Sequence, residues 1–89
     1  MSDPVRYVVV LRPSARRDLD RFPRDVRRRM RDVLQQLADQ PRGVQTKRLA
    51  GSSDYRRRVG DYRIVYEIDD KALLVTINAV RHRKDAYRG

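Results

Sequence analysis

With 89 residues and a net charge of +10, from 22 lysines and arginines against 12 acidic residues, the chain has the length of one small domain and the charge of a protein with an anionic partner. Cysteine is absent and the single histidine has no cysteine or histidine neighbour, so neither a disulfide framework nor a zinc site is available, and no metal or organic cofactor is expected. No apolar run approaches the roughly 20 residues that cross a bilayer, and the first residues lack the basic-then-apolar pattern of a signal peptide, which leads to an expectation of one domain over 1–89, cytoplasmic and away from membranes.

Val5 to Leu11 is a β-branched run closed by Arg12-Pro13 and is predicted to be a first strand. Ser14 then stands where an N-cap belongs. Leu19, Phe22, Val26, Met30, Val33, Leu34 and Leu37 recur at steps of three and four, one apolar stripe of a helix. Pro23 is incompatible with a helix interior but suits a first turn, which splits the stripe into helices near 14–21 and 23–39. Pro41 disfavours helical geometry in the residue before it and ends the second.

Beyond Gly43 the pattern changes from period 3.6 to period 2. Tyr55 to Val59 alternates, Gly60-Asp61 makes a two-residue turn, and Tyr62 to Ile68 alternates again, a hairpin. Asp69-Asp70-Lys71 makes another turn, and Leu73 to Val80 is an apolar strand suited to the middle of a sheet, followed by a polar tail. The sum is an α+β fold: a small antiparallel sheet, made of the first strand and a C-terminal three-stranded meander, packed against an N-terminal helical hairpin.

Arginine greatly outnumbers lysine, and a guanidinium presents a planar fork of donors to phosphate where lysine presents a point charge. A solvated surface is the ordinary explanation of any one arginine, so a functional reading requires several on one face. The two-residue loop supplies that requirement. It sets Val59 opposite Tyr62, Arg58 opposite Arg63, Arg57 opposite Ile64 and Arg56 opposite Val65, which puts Arg56, Arg58 and Arg63 on one side of the sheet. Tyr55, Val59, Tyr62, Ile64, Tyr66 and Ile68 fall on the other, with Arg57 out of place among them. Like charges opposed in a ladder cost a few tenths to about 1 kcal/mol, a cost more readily borne where an anion binds. Asp54, Glu67 and Asp69 are the residues that would otherwise offset the charge. Lys47 and Arg48 extend the candidate patch toward a phosphate backbone, and a second basic cluster follows the last strand in Arg81, His82, Arg83 and Lys84, with Tyr87 behind. Strict alternation from Val75 aims Arg81 at the core, so it joins the patch only where the strand has ended or bulged.

Metal-free RNA cleavage lets a ribose 2′-hydroxyl attack the adjacent phosphorus, which needs a base, a cation for the charged phosphorane and an acid for the departing 5′-oxygen. Arginines are strong clamps and poor bases because they stay protonated. Tyr87, beside guanidinium groups that favour its phenolate, and His82 are the candidates for proton transfer, and Tyr87 suits stacking on an unpaired base equally well.

Leu49-Ala50-Gly51, the run from Tyr55 through Arg58-Val59-Gly60-Asp61-Tyr62-Arg63 to Tyr66, and Arg81-His82-Arg83 with Tyr87 follow one another in an order that resembles the RelE/ParE toxin superfamily over essentially the whole chain. The resemblance implies a RelE-type toxin that enters the ribosomal A site, contacts ribosomal RNA and cuts messenger RNA. A cognate antitoxin would neutralise it, and operator DNA would be bound only through the antitoxin complex. By the same resemblance Arg63 clamps the scissile phosphate, Arg81 supports the leaving group, Tyr87 orients or activates the nucleophile, and Arg56 and Arg58 stand where the family often carries lysine. The alternative within the superfamily is a ParE-like toxin that binds DNA gyrase without cutting RNA.

Overall fold

The change of period from 3.6 to 2 along the chain becomes two layers. In the computed structural model, which describes residues 6–43, 46–49, 51 and 53–83, the elements in order are β1 (Val8–Leu11), α1 (Pro13–Asp20), α2 (Arg24–Asp39), β2 (Thr46–Arg48), β3 (Asp54–Val59), β4 (Tyr62–Asp69) and β5 (Leu74–His82). The strands form one sheet in the order β1-β5-β4-β3-β2, with the helices against one of its faces. The α+β architecture is the one expected. Among the described residues no helix is long and apolar enough to cross a membrane.

The apolar stripe of the helical hairpin makes the core. Met30, Val33 and Leu37 of α2 are buried with Ala15 of α1, and Leu19, Phe22, Val26 and Leu34 pack around them. From the sheet come Val59, Ile64, Tyr66, Val75, Ile77 and Val80, all on the face toward the helices. Tyr66 is fully buried, and its hydroxyl donates to the Pro41 carbonyl at 2.6 Å, tying the end of α2 to the centre of the sheet. Burial pushes its phenol above the ordinary tyrosine pKa.

Several boundaries and one direction differ from expectation. β1 begins at Val8, with Arg6 and Tyr7 outside the ladder and Val5 outside the described residues. It runs parallel to β5, Val8 opposite Leu74 and Leu11 opposite Ile77, so the sheet is antiparallel except at this edge. Each turn of the meander reverses the chain, whereas the helical hairpin separates β1 from the meander and no tight turn dictates its direction. β2 is an additional edge strand, three polar residues too short to show alternation. Ser14 does not cap α1: the helix starts at Pro13, whose missing N–H suits a first position, and Arg12 is the N-cap. Leu73 belongs to the turn, in the left-handed region at φ 52, and β5 extends through Arg81 and His82, where a tail was expected.

A polar clasp closes the end of the sheet far from the Gly60 turn. Arg42 grips Asp70 with both terminal nitrogens, at 3.0 and 2.9 Å, and its Nε donates to the Tyr55 hydroxyl at 3.1 Å. The Tyr7 hydroxyl donates to the same carboxylate at 2.6 Å. Four separate stretches of chain meet there. The Arg42 hydrogen bonds, with that from Tyr7, hold the Asp70 carboxyl down at about 2, against an ordinary 3.8. A carboxylate with a depressed folded pKa contributes stability that is complete above its unfolded value and disappears as pH falls through the folded one. In denaturant titrations across pH, the wild type is therefore expected to exceed Asp70→Asn in stability by a constant margin above about pH 4, a margin that closes between about pH 4 and 2.

Candidate nucleic-acid interface

The β3–β4 hairpin has the register its loop length demands: Val59 opposite Tyr62, Arg58 opposite Arg63, Arg57 opposite Ile64 and Arg56 opposite Val65. Gly60 supplies the left-handed backbone, φ 58, that such turns require. The Arg29 guanidinium from α2 lies against it, and a Cβ there would sit 3.3 Å from Nη1. Because successive side chains alternate, Arg56, Arg58 and Arg63 share the outer face, away from the helices.

The next ladder decides where Arg81 goes. Ile68 lies opposite Val75 and Tyr66 opposite Ile77, but Val65 lies opposite Ala79, so Asn78 is an extra residue in β5. One extra residue transfers everything beyond it to the other face. Val75 and Ile77 before the bulge point at the helices, as does Val80 after it, and Arg81 stands on the outer face opposite Arg63. Arg58, Arg63 and Arg81 thus form a row across three adjacent strands, with Cβ separations between neighbours of about 4.5–5.5 Å. Lys47, opposite Arg56, adds a further cation from β2. Lys47, Arg56, Arg58 and Arg63 line an open groove of about 730 Å³ whose end is the Gly60-Asp61 turn.

No carboxylate of the described residues pairs with Arg56, Arg58, Arg63 or Arg81. Asp54 and Glu67 face each other farther along the sheet, Glu67 lies 4.0 Å from Arg12, and Asp69 accepts the Ala72 N–H. Among the described residues no three His, Cys, Asp or Glu side chains are grouped to hold a metal ion.

The remaining candidate residues divide. Arg48 pairs with Tyr55 and faces the helix side, since adjacent strand residues point in opposite directions. His82, opposite Tyr62, presents its ring edge-on to Tyr62 at 4.9 Å, with Phe22 4.9 Å beyond, and is likewise on the helix side. Both therefore lie away from the groove. Arg83 borders a smaller hollow of about 210 Å³ beside Arg58 and Arg63, and its main-chain N–H donates to the Asp61 carbonyl at 2.6 Å. Lys84 and Tyr87 lie outside the described residues. Arg57, out of place on the helix face, donates to Gln36 Oε1 at 2.8 Å, and its Nε is buried without a partner. Sequence reasoning missed Arg29, and it missed Arg12, Ser14 and Asp18, which bond to β5 around the bulge. The sequence signal for these was slight: polar residues at a helix start or on a helix surface read as caps or solvated charge.

Residues 9–87 match the model of the ParE toxin of the type II toxin–antitoxin system parDE. The chain belongs to the RelE/ParE toxin superfamily. It is 37% identical to Toxin RelG of Mycobacterium tuberculosis, over 92% of this chain and 97% of that protein. A chain in the crystal structure of the toxin–antitoxin complex RelBE2 from the same organism superposes with a TM-score of 0.80 at 32% identity, covering 89% of this chain and all of that one. A chain of the archaeal RelE–RelB complex from Pyrococcus horikoshii gives 0.79 at 25% identity, over 93% and 98%. The protein is accordingly a toxin of a type II toxin–antitoxin system.

In this superfamily member the outer face can hold an extended polyanion: it carries cationic side chains on adjacent strands at strand spacing, with no carboxylate of the described residues paired to Arg58, Arg63 or Arg81. Replacing Arg63 by Thr removes like-charge repulsion with both neighbours and is expected to raise stability by a few tenths to about 1 kcal/mol in low salt, with the gain shrinking at high salt. Thermal melts of Arg63→Thr and wild type at the two ionic strengths check this.

Proposed function

We propose that the toxin is a ribosome-dependent, metal-independent endoribonuclease that cuts messenger RNA in the A site and so inhibits translation. The observation that carries the reading is the Arg58, Arg63 and Arg81 row on the exposed face of three adjacent strands. A phosphate at its centre meets Arg63 and is flanked on both sides, and a planar fork of donors suits the equatorial oxygens of a phosphorane. Arg63 clamps the scissile phosphate. Arg81 stabilises charge on the departing 5′-oxygen, while Lys47, Arg56 and Arg58 track the neighbouring phosphates along the groove.

The 2′-oxygen forms the new bond to phosphorus, the bond to the 5′-oxygen breaks as that oxygen takes a proton from water, and the products are a 2′,3′-cyclic phosphate and a 5′-hydroxyl. The proton of the 2′-hydroxyl needs an acceptor that guanidinium groups do not provide. Of the five tyrosines, Tyr55, Tyr62 and Tyr66 are on the helix side and Tyr7 is held in the Asp70 clasp. Tyr87 is the remaining phenol, and we assign it the orienting or activating role.

A cognate antitoxin is the partner, as antitoxins are in the solved complexes of the related toxins. An acidic antitoxin segment laid across the sheet or the helical hairpin would close off the cationic face when the toxin is idle. Operator DNA would then be reached through the antitoxin.

Primer extension on in vitro translation reactions tests the reading. Wild type is expected to leave cuts at A-site codons, and Arg63→Ala and Arg81→Ala each to lower the cleavage rate by about 10²-fold or more, the scale of losing one donor to a developing oxyanion, with antitoxin binding largely intact. Uncut transcripts, or inhibition of gyrase supercoiling by the wild type, would contradict it and favour a ParE-type action.

A further inference from the structure

β1 ends at Leu11, opposite Ile77, so from Asn78 onward the outer edge of β5 has no strand beside it. That stretch contains the bulge and leads directly into Arg81. Its polar groups are taken up by α1 and the residue before it. Ser14 Oγ donates to the Asn78 carbonyl at 2.9 Å, Arg12 Nε donates to Asn78 Oδ1 at 2.7 Å, and the Arg12 N–H donates to the Ile77 carbonyl at 2.9 Å. The Val80 N–H donates to Asp18 Oδ2 at 3.0 Å. Asp18 is 62 residues away in sequence, yet its carboxylate holds the main-chain N–H of the residue before Arg81.

We infer that Asp18 is a positioning residue for Arg81: by accepting the Val80 N–H it holds the bulged end of β5 in the setting that keeps Arg81 on the outer face opposite Arg63. Burial of the Val80 side chain selects the face, since an unslipped ladder would put Val80 outside and Arg81 against Tyr62. The side chain alone leaves the strand end free to slide and tilt. A charge-assisted hydrogen bond to the backbone removes that freedom, and a misplacement of about 1 Å by a change remote from the chemistry can cost about 100-fold in rate. Asn keeps an acceptor at the same reach, whereas Ala removes it.

The activity arm of the test rests on the nuclease reading, and the structural arm does not. Cleavage of ribosome-held messenger would be measured for Asp18→Ala, Asp18→Asn, Arg81→Ala and the Asp18→Ala/Arg81→Ala double variant. Val80 amide exchange and the cross-strand Overhauser contact between Arg63 and Arg81 would be followed in the free proteins. Asp18→Ala is expected to lose roughly 100-fold in kcat, Asp18→Asn to restore most of it, and the double variant to be no slower than Arg81→Ala. Val80 protection should fall in Asp18→Ala with the Arg63–Arg81 contact weakened. An additive loss in the double variant, or unchanged Val80 exchange and an intact Arg63–Arg81 contact in Asp18→Ala, would overturn the inference. If the wild type itself does not cleave, the nuclease reading fails and the exchange and Overhauser data decide the role of Asp18 by themselves.

Discussion

Side chains leave a β-strand on alternate sides, and in β5 that alternation is interrupted at Asn78. Without the interruption the strand has to choose between burying Val80 and presenting Arg81. With it, Val75, Ile77 and Val80 all enter the core while Arg81 joins Arg58 and Arg63 outside. The bulge is therefore a structural requirement of the basic row. It costs regular pairing at one residue, and α1 with the residue before it offsets that cost through Arg12, Ser14 and Asp18.

The outer face of the sheet is electrically divided. Its Gly60 end carries Arg58, Arg63 and Arg81, while its opposite end carries Asp54, Glu67 and Asp69, with the apolar side chains of Val8 and Val10 exposed beside them. Repulsion among the arginines is tolerated because the other side of the same strands is a closed apolar layer under the helices, and because the clasp of Arg42, Asp70, Tyr7 and Tyr55 fastens the far end. Rigid strands hold fixed charges at strand spacing. On the proposed reading this is preorganisation, in which donors stand where charge develops and need little rearrangement during the reaction.

Much of this was legible in the chain. The Gly60-Asp61 loop implied the β3–β4 register residue for residue, because a two-residue turn leaves one pairing, and the 3.6-residue stripe marked the helical hairpin to within a residue at each boundary. Lys47 and Arg48 were read together as one patch, although neighbours in a strand cannot share a face once β2 forms. His82 followed the same alternation to the helix side. For Arg81 the sequence supplied a condition, a bulge, whose fulfilment depends on contacts from α1 that no local pattern encodes. The direction of β1 was equally hidden, since it is decided by packing across the helical hairpin. Ser14 looked like a cap because its residue type fits one, while Pro13 had already provided the helix start.

The central claim is that three arginines from adjacent strands act as one phosphate site. Its most direct measurement is a titration of the toxin with a short single-stranded RNA, 2′-O-methylated to prevent cleavage, followed through the Nε–Hε resonances of the arginine side chains. Arg58, Arg63 and Arg81 are expected to shift together with a common affinity, while Arg57, held on the helix side by Gln36, stays in place. Shifts confined to arginines of α1 and α2, or separate affinities for the three, would contradict the account.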